Sequence, residues 1–316
     1  MSTEPEKFKS LETLVTDIRA LSPRLETLIP QYRRAIEQVG TASDPNQWSG
    51  VYWRLVAFVD SLARLRLFLE QNFNYVETIG LLAVARYLFE LTVWLKLLMT
   101  DSRYGLVYYR ELLRKQLDFY TELRNNDVRE ISFLRHTDAL EKNLGQKRLS
   151  EALQIPEEES RKTALRHLYN EVTREIDRNA ARKFSLYAEQ AQTNGYSFQA
   201  YLVETKILPE RSKAISDLEQ KLKTFDSHMP PDAKALAPNR WKWNQQAERV
   251  GMRDEYDFIY AFASRLLHAT PASLTTNQKN LEPDEMRIFL KYIRVRLLDA
   301  VEMAEKLLAE DSAVVH

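Results

Sequence analysis

Apolar residues recur along most of this chain at spacings of three and four, the period of a helix that buries one face. One stretch departs from that pattern. In residues 76–99, VETIGLLAVARYLFELTVWLKLLM, the side chains Ile79, Leu81, Leu82, Val84, Leu88, Phe89, Leu91, Val93 and Trp94 fall all round the helical wheel. A helix that is apolar on every side is enclosed by protein or by lipid. Arg86 and Glu90 sit in its middle, four residues apart and therefore one turn from each other on one face. Two ionisable groups at that depth are costly in a bilayer. The rest of the chain is polar, with a mean hydropathy of −0.45. The pattern therefore predicts a core helix at the centre of an all-α, multi-helix bundle, with no membrane segment.

The other elements follow from the same period. Residues 6–21 carry Phe8, Leu11, Leu14, Val15, Ile18 and Leu21 at helical spacing. Ser22 and Pro23 restart a helix that runs towards Gly40, and TASDPN reads as a loop. A long helix is expected over 48–72. After the central helix, Asp101 and Ser102 cap a Tyr-rich helix ending near Asn125 and Asn126, and a shorter one covers about 127–145. Residues 156–194 are densely charged, with a thin stripe of Leu165, Leu168, Val172, Ile176, Ala180, Phe184 and Tyr187 that Gly195 ends. That stripe suits a protruding hairpin, a dimer arm or an ordinary surface helix. YSFQAYLVETKIL and PERSKAISDLEQKLKTF read as two helices, the second opened by Pro209; MPPDAKALAPNR reads as a rigid loop. A helix over about 253–269 and a final one with Pro283 in its first turn complete the chain. The expected organisation is one domain. Residues 1–155 form an N-terminal half, 156–227 a charged arm, and 228–316 the helices that complete the bundle.

Composition narrows the function classes. The 316 residues hold 45 basic and 45 acidic side chains, for a formal net charge of zero. No global field draws the chain to nucleic acid or to an acidic membrane, although a local patch stays open. There is no Cys, which excludes disulfides, thiolate metal sites and Cys nucleophiles. The N-terminus has no apolar signal core, and a cytoplasmic bacterial protein is expected. There is no Walker motif, Gly-rich phosphate loop or nucleophile elbow. No Glu precedes a His at the spacing of a helical di-metal site. Glu77 and Glu90 flank Arg86, which favours an ion pair over metal ligation. Neither metal nor cofactor is expected.

The candidate chemistry lies on the helix over 253–269. Tyr256, Tyr260, Ser264 and His268 recur every four residues along one side, opposite Phe258, Ile259, Phe262, Leu266 and Leu267. A hydroxyl and an imidazole one turn apart can act as acid, base or ligand, or can satisfy hydrogen bonds at a helix contact. Arg86 and Glu90 are also polar residues in the middle of an apolar helix, and buried ions need partners. The candidate site is therefore Arg86, Glu90, Tyr260, Ser264 and His268. Aromatic and basic residues also interleave at Trp48, Tyr52, Trp53 and Arg54, and at Tyr104, Tyr108, Tyr109 and Arg110; they suit base stacking or ordinary core packing.

Two stretches, ARYLFELTVWLKLL and WKWNQQAERVGMRDEYDFIYAFASRLLHATP, resemble an uncharacterised bacterial all-helical family filed as a domain of unknown function. The resemblance covers about half of the chain. It implies an all-helical fold and a site at Arg86, Glu90, Tyr260, Ser264 and His268, and it implies no reaction. A looser similarity is to the HEPN bundles, many of them metal-independent ribonucleases or toxins whose signature places an Arg shortly before a His on a helix. Arg265 is too close to His268 to fit, and Arg129 with His136 and Arg161 with His167 fit loosely. Three functions follow as expectations. The first is a binding or effector protein of a bacterial defence or stress system, with a protein partner or a second copy on the charged arm. The second is a HEPN-like ribonuclease acting on RNA without metal. The third is a nucleotide or small-molecule sensor.

Overall fold

The computed structural model describes residues 4–40, 49–71, 78–260, 262–263 and 281–314. Every regular element among them is helical, so the fold is all-α. In chain order the helices are α1 (Glu4–Arg19), α2 (Ser22–Gly40), α3 (Gly50–Gln71), α4 (Thr78–Thr100), α5 (Tyr104–Leu153), α6 (Glu158–Ala180) and α7 (Ala188–Asn194). They continue as α8 (Tyr196–Leu202), α9 (Leu208–His228), α10 (Pro231–Leu236), α11 (Trp243–Arg249), α12 (Arg253–Glu255) and α13 (Pro283–Val314). Among the described residues, no helix is long and apolar enough to cross a membrane.

The chain divides into two compact units, residues 1–111 with 228–316, and residues 112–227. In the first unit α4 is the central element. It packs along α13, α13 also packs along α1, and α2 packs along α3. Leu82, Leu88, Phe89, Val93 and Leu98 on α4 are fully buried. Burying side chains of this size stabilises by about 2 kcal/mol each, so apolar contact sets where α4 lies. The enclosure is not complete. Ile79 and Tyr87 are exposed, and Leu91 and Trp94 are half-buried. Tyr32 of α2 stacks on Phe58 of α3 and donates its hydroxyl to the carbonyl of Ala304 in α13 at 2.9 Å. The N-termini of α3 and α5 cross in direct backbone contact. A Cβ at Gly105 would overlap the Gly50 carbonyl oxygen and crowd the Arg54 nitrogen.

The second unit is built around the distal part of α5. The sequence pattern predicts a break at Asn125–Asn126 and a stop at Gly145, yet α5 is one helix of 50 residues. Asn and Gly cost a helix no more than about 1 kcal/mol each. The packing of Ile131 and Leu134 against Val172, Ile176, Tyr187, Tyr196 and Val203 outweighs that. The expected run from 156 to Gly195 is in turn broken after Ala180. Two buried carboxylates of α5 hold the connection: Glu130 accepts the Ser185 hydroxyl at 2.5 Å and the Leu186 N–H at 3.1 Å, and Asp127 accepts the Tyr187 hydroxyl at 2.9 Å. Ser185 Oγ then accepts the N–H groups of Tyr187 and Ala188, capping α7. Burial and Asp127 push the Tyr187 phenol up to about 12.

Pro209 does not open a new helix. The helical path continues from α8 into α9 through a π turn at Val203–Ile207, where the Leu208 N–H reaches the Val203 carbonyl. A wide turn at this point accommodates a proline ring that would otherwise meet the carbonyl four residues back. Residues 231–236, expected as loop, form α10 with Pro231 in its first turn.

Two substitutions test the helix packing with opposite signs. Gly105→Ala is expected to destabilise by about 3 kcal/mol, because backbone on the far side cannot yield. Gly145→Ala, whose Cβ meets nothing within 4 Å, is expected to stabilise by up to about 1 kcal/mol. Chemical unfolding of both variants checks them.

Candidate functional site

Helix α12 leads directly into the segment that carries the site's aromatic residues, and there the pitch changes. Arg253–Glu255 is α-helical, and Tyr256–Tyr260 forms a π turn. Glu255 ties this segment to α13, accepting the Tyr292 hydroxyl at 3.1 Å and pairing with Arg296 at 3.6 Å. Burial raises the Tyr292 pKa strongly, and the negative charge of Glu255 adds to it. The rings of Tyr256 and Tyr260 stack with centroids 4.9 Å apart, and Tyr256 leans on Phe89 of α4 at 6.1 Å. The π turn thereby brings Tyr260 to the polar centre of α4.

There Arg86 joins α4 to the π turn. Its Nε donates to Glu90 at 3.3 Å, its Nη2 donates to the Tyr260 hydroxyl at 2.7 Å, and its guanidinium carbon lies 4.1 Å from the Tyr260 ring centroid. Both members of the ion pair are between one quarter and one third exposed. Burial raises the Glu90 pKa, and Arg86 opposes that rise by charge and by hydrogen bonding without cancelling it. Of the five candidate residues, the structure brings together Arg86, Glu90 and Tyr260. Ser264 and His268 lie outside the described residues, as do Glu77 and Trp48.

A second feature of the same unit adjoins this cluster. One face of α3 (Asp60, Ser61, Arg64), one face of α4 (Tyr87, Trp94) and Tyr108 of α5 line an open cleft of about 230 Å³, with the buried Leu95 and Leu98 among its walls. Burial is the main cause of the raised Tyr87 pKa; Arg64 opposes it and the nearby Glu90 adds to it. Burial, with the charge of Asp60, pushes Tyr108 up to about 12. Burial alone raises Asp60. Trp94 stacks on Trp241 at 4.0 Å and meets Tyr108 edge-on at 5.5 Å. Tyr87, which follows Arg86 directly in the chain, borders this cleft beside the Arg86, Glu90 and Tyr260 cluster.

The sequence reading did not single out Asp60, Arg64, Tyr87 or Trp94 as site residues. A weak signal was present: Asp60 and Arg64 are charges four apart on one face of α3, but Arg54, Arg66 and Glu70 share that helix, so the pair does not stand out as Arg86 and Glu90 do. The looser Arg–His pairs lie on solvated faces of the second unit. Arg129 donates to Asn126 at 3.5 Å while His136 is exposed; Arg161 donates to the Ile155 carbonyl at 3.0 Å while His167 is exposed. Of the interleaved aromatics, Trp53 stacks on Tyr109 at 3.8 Å, which leaves that pair packed against itself.

Fold and site define an all-helical protein with an aromatic and ion-paired centre on its core helix. The chain belongs to a family of unknown function (DUF5677), whose model matches residues 65–286 and so spans Arg86, Glu90, Tyr260, Ser264 and His268. No curated protein and no solved structure matches, and the HEPN similarity finds no confirmation in these comparisons.

Arg86→Met is expected to cost about 1 kcal/mol at neutral pH, the range of a charged hydrogen bond open to solvent. The Glu90 pKa is raised in the folded state, so its contribution is favourable at low pH and is lost as pH rises through that value. Removing Arg86 raises it further. The deficit of Arg86→Met should therefore shrink on acidification through a window just above the ordinary Glu range, between the raised wild-type value and the higher value in the variant. Thermal melts at neutral and acid pH read this, and equal deficits at both would contradict it. Tyr260→Phe keeps the ring and removes the hydroxyl acceptor, for an expected loss of about 1 kcal/mol.

Proposed function

We propose that this protein is a binding effector of a bacterial defence or stress system, acting without chemistry of its own. The observation that carries this reading is the engagement of Arg86. Its guanidinium faces the Glu90 carboxylate, the Tyr260 hydroxyl and the Tyr260 ring together. A cation that stabilises a transition state is aimed at the position where charge develops. Arg86 is instead matched to protein groups, as a residue that holds α4 and the π turn in register would be. Under this reading the charged segment 156–227 receives a protein partner or a second copy. Tyr169 is 73% and Phe184 85% exposed there, which supports a surface that contacts something.

The test is a cellular phenotype that depends on this protein. It is expected to persist in the double variant Arg86→Ala, His268→Ala, with purified wild type leaving RNA intact. Loss of the phenotype in a double variant that still folds would overturn the reading.

One observation favours a second reading, a metal-independent ribonuclease. Tyr260, which Arg86 contacts, stands eight residues before His268 in the chain. His268 would then take the proton from the attacking hydroxyl, and Arg86 would stabilise phosphate charge. That reading expects RNA cleavage in EDTA, abolished by His268→Ala. The cleft beside Tyr87 favours a third, a small-molecule sensor, for which a ligand selective for the folded chain raises the melting temperature.

A further inference from the structure

We infer that the solvent face of α6 and the turn after it bind a single strand of nucleic acid, with Arg166, Arg174, Arg178, Arg182 and Lys183 on its phosphates and Phe184 stacked on a base. The inference goes beyond the effector reading. It gives one face of the charged segment an occupant that is not protein, and it requires no cleavage.

Spacing is the first ground. Arg166, Asn170, Arg174, Arg178 and Arg182 recur every four residues, and all are exposed. Such a row climbs a helix in steps of about 6 Å, drifting about 40° round the axis at each step. That step is close to the separation of successive phosphates along a strand. The row runs past the end of α6 without a break. The Arg182 N–H donates to the Asn179 carbonyl at 3.3 Å and the Lys183 N–H to the Ala180 carbonyl at 3.0 Å, so the last two cations stay fixed to the helix.

Charge is the second ground. Lys162, one step earlier in the row, is held by Glu158 and Glu159. Among the described residues, the five cations after it pair with no carboxylate. The acids beside them are engaged elsewhere: Glu175 with Arg148 of α5 at 3.6 Å, and Asp177 with the Tyr196 hydroxyl at 2.8 Å. Glu171 subtracts from the row, and the face keeps an excess of positive charge. Guanidinium groups suit phosphates, because the planar fork grips two oxygens at once. Phe184 is the third ground. It is almost fully exposed and directly follows Lys183. The chain beyond it is pinned from below by Glu130, through the Ser185 hydroxyl and the Leu186 N–H, and by Asp127, through the Tyr187 hydroxyl. Two buried carboxylates thus fix the base of a turn whose tip offers a bare ring. Such a ring stacks on an unpaired base, which a strand supplies and a duplex does not. An acidic peptide would answer the cations and leave the ring unused. Tyr169 takes no part: five residues before Arg174, it lies about 140° round the helix from it.

The deciding experiment measures binding of the full chain to a fluorescent oligouridine of about ten nucleotides, by anisotropy across a salt series. Each phosphate contact on a single strand contributes about 0.7 to the fall of log affinity with log salt, so five cations give an expected slope of about −3.5. Arg178→Gln should flatten that slope by about 0.7. Arg174→Glu combined with Arg178→Glu should weaken binding by more than about ten-fold. Phe184→Ala should weaken it about ten-fold and leave the slope unchanged, because stacking releases no counterion. Lys221→Glu combined with Lys223→Glu makes the same charge change on α9 and should bind as wild type does.

Absence of binding at low salt would overturn the inference. So would an equal loss in the α6 and α9 double variants, or equal affinity for a duplex of the same length. Displacement by polyglutamate as effective as by unlabelled oligouridine would refute the nucleic-acid class in favour of an acidic protein. Each of these results leaves the effector reading standing. If the α6 double variant does not fold, the wild-type slope and Phe184→Ala still decide.

Discussion

The first unit depends on burying α4, and that burial carries a constraint. A helix with Leu82, Leu88, Phe89 and Val93 fully enclosed can hold ionisable groups only where water or a partner reaches them. Arg86 and Glu90 lie at such an edge, roughly a quarter exposed, and the π turn supplies the remaining contacts. Each fully buried apolar side chain contributes about twice what an ion pair open to solvent does. Apolar packing therefore decides that α4 is central, and the polar contacts decide which way round it sits and where residues 256–260 dock on it.

The π turn makes that docking possible. In a regular α-helix, residues four apart advance by somewhat more than one turn, so their side chains drift round the axis. Widening the turn at Tyr256–Tyr260 slows that drift. Tyr256 faces Phe89 while Tyr260, stacked upon it, reaches Arg86 one turn earlier on α4. The segment is anchored on its other side by Glu255, through Tyr292 and Arg296 of α13. Because α13 also packs along α4, both sides of the turn refer to the same pair of helices.

Helical period made the fold class and most helices of the first unit legible, because each buries a face wide enough to leave a pattern. Breaks were harder to read. Asn125–Asn126 and Gly145 looked like stops, yet each costs less than the burial of Ile131 and Leu134 contributes. The break after Ala180 carries no Gly or Pro; it depends on Glu130 and Asp127, some fifty residues away. The proximity of Arg86, Glu90 and Tyr260 could be anticipated because a buried pair must find a partner. The cleft could not, since its lining is divided between α3, α4 and Tyr108 of α5, and no single stretch of sequence carries it. Ser264 and His268 fall outside the described residues.

Asp60 and Glu90 pose one physical problem with two outcomes. Each is a carboxylate on a largely apolar helix, and burial raises the pKa of each. Glu90 has a cation four residues before it on its own helix. Asp60 has Arg64 four residues after it, but both stand on the exposed face of α3, where water takes the place of an ion-pair partner. Glu90 is only 28% exposed, so water reaches it poorly and it keeps Arg86, which in turn donates to the Tyr260 hydroxyl. The same i, i+4 spacing therefore yields a solvated pair of charges on α3 and a docking point on α4, and depth in the fold, not spacing, separates the two.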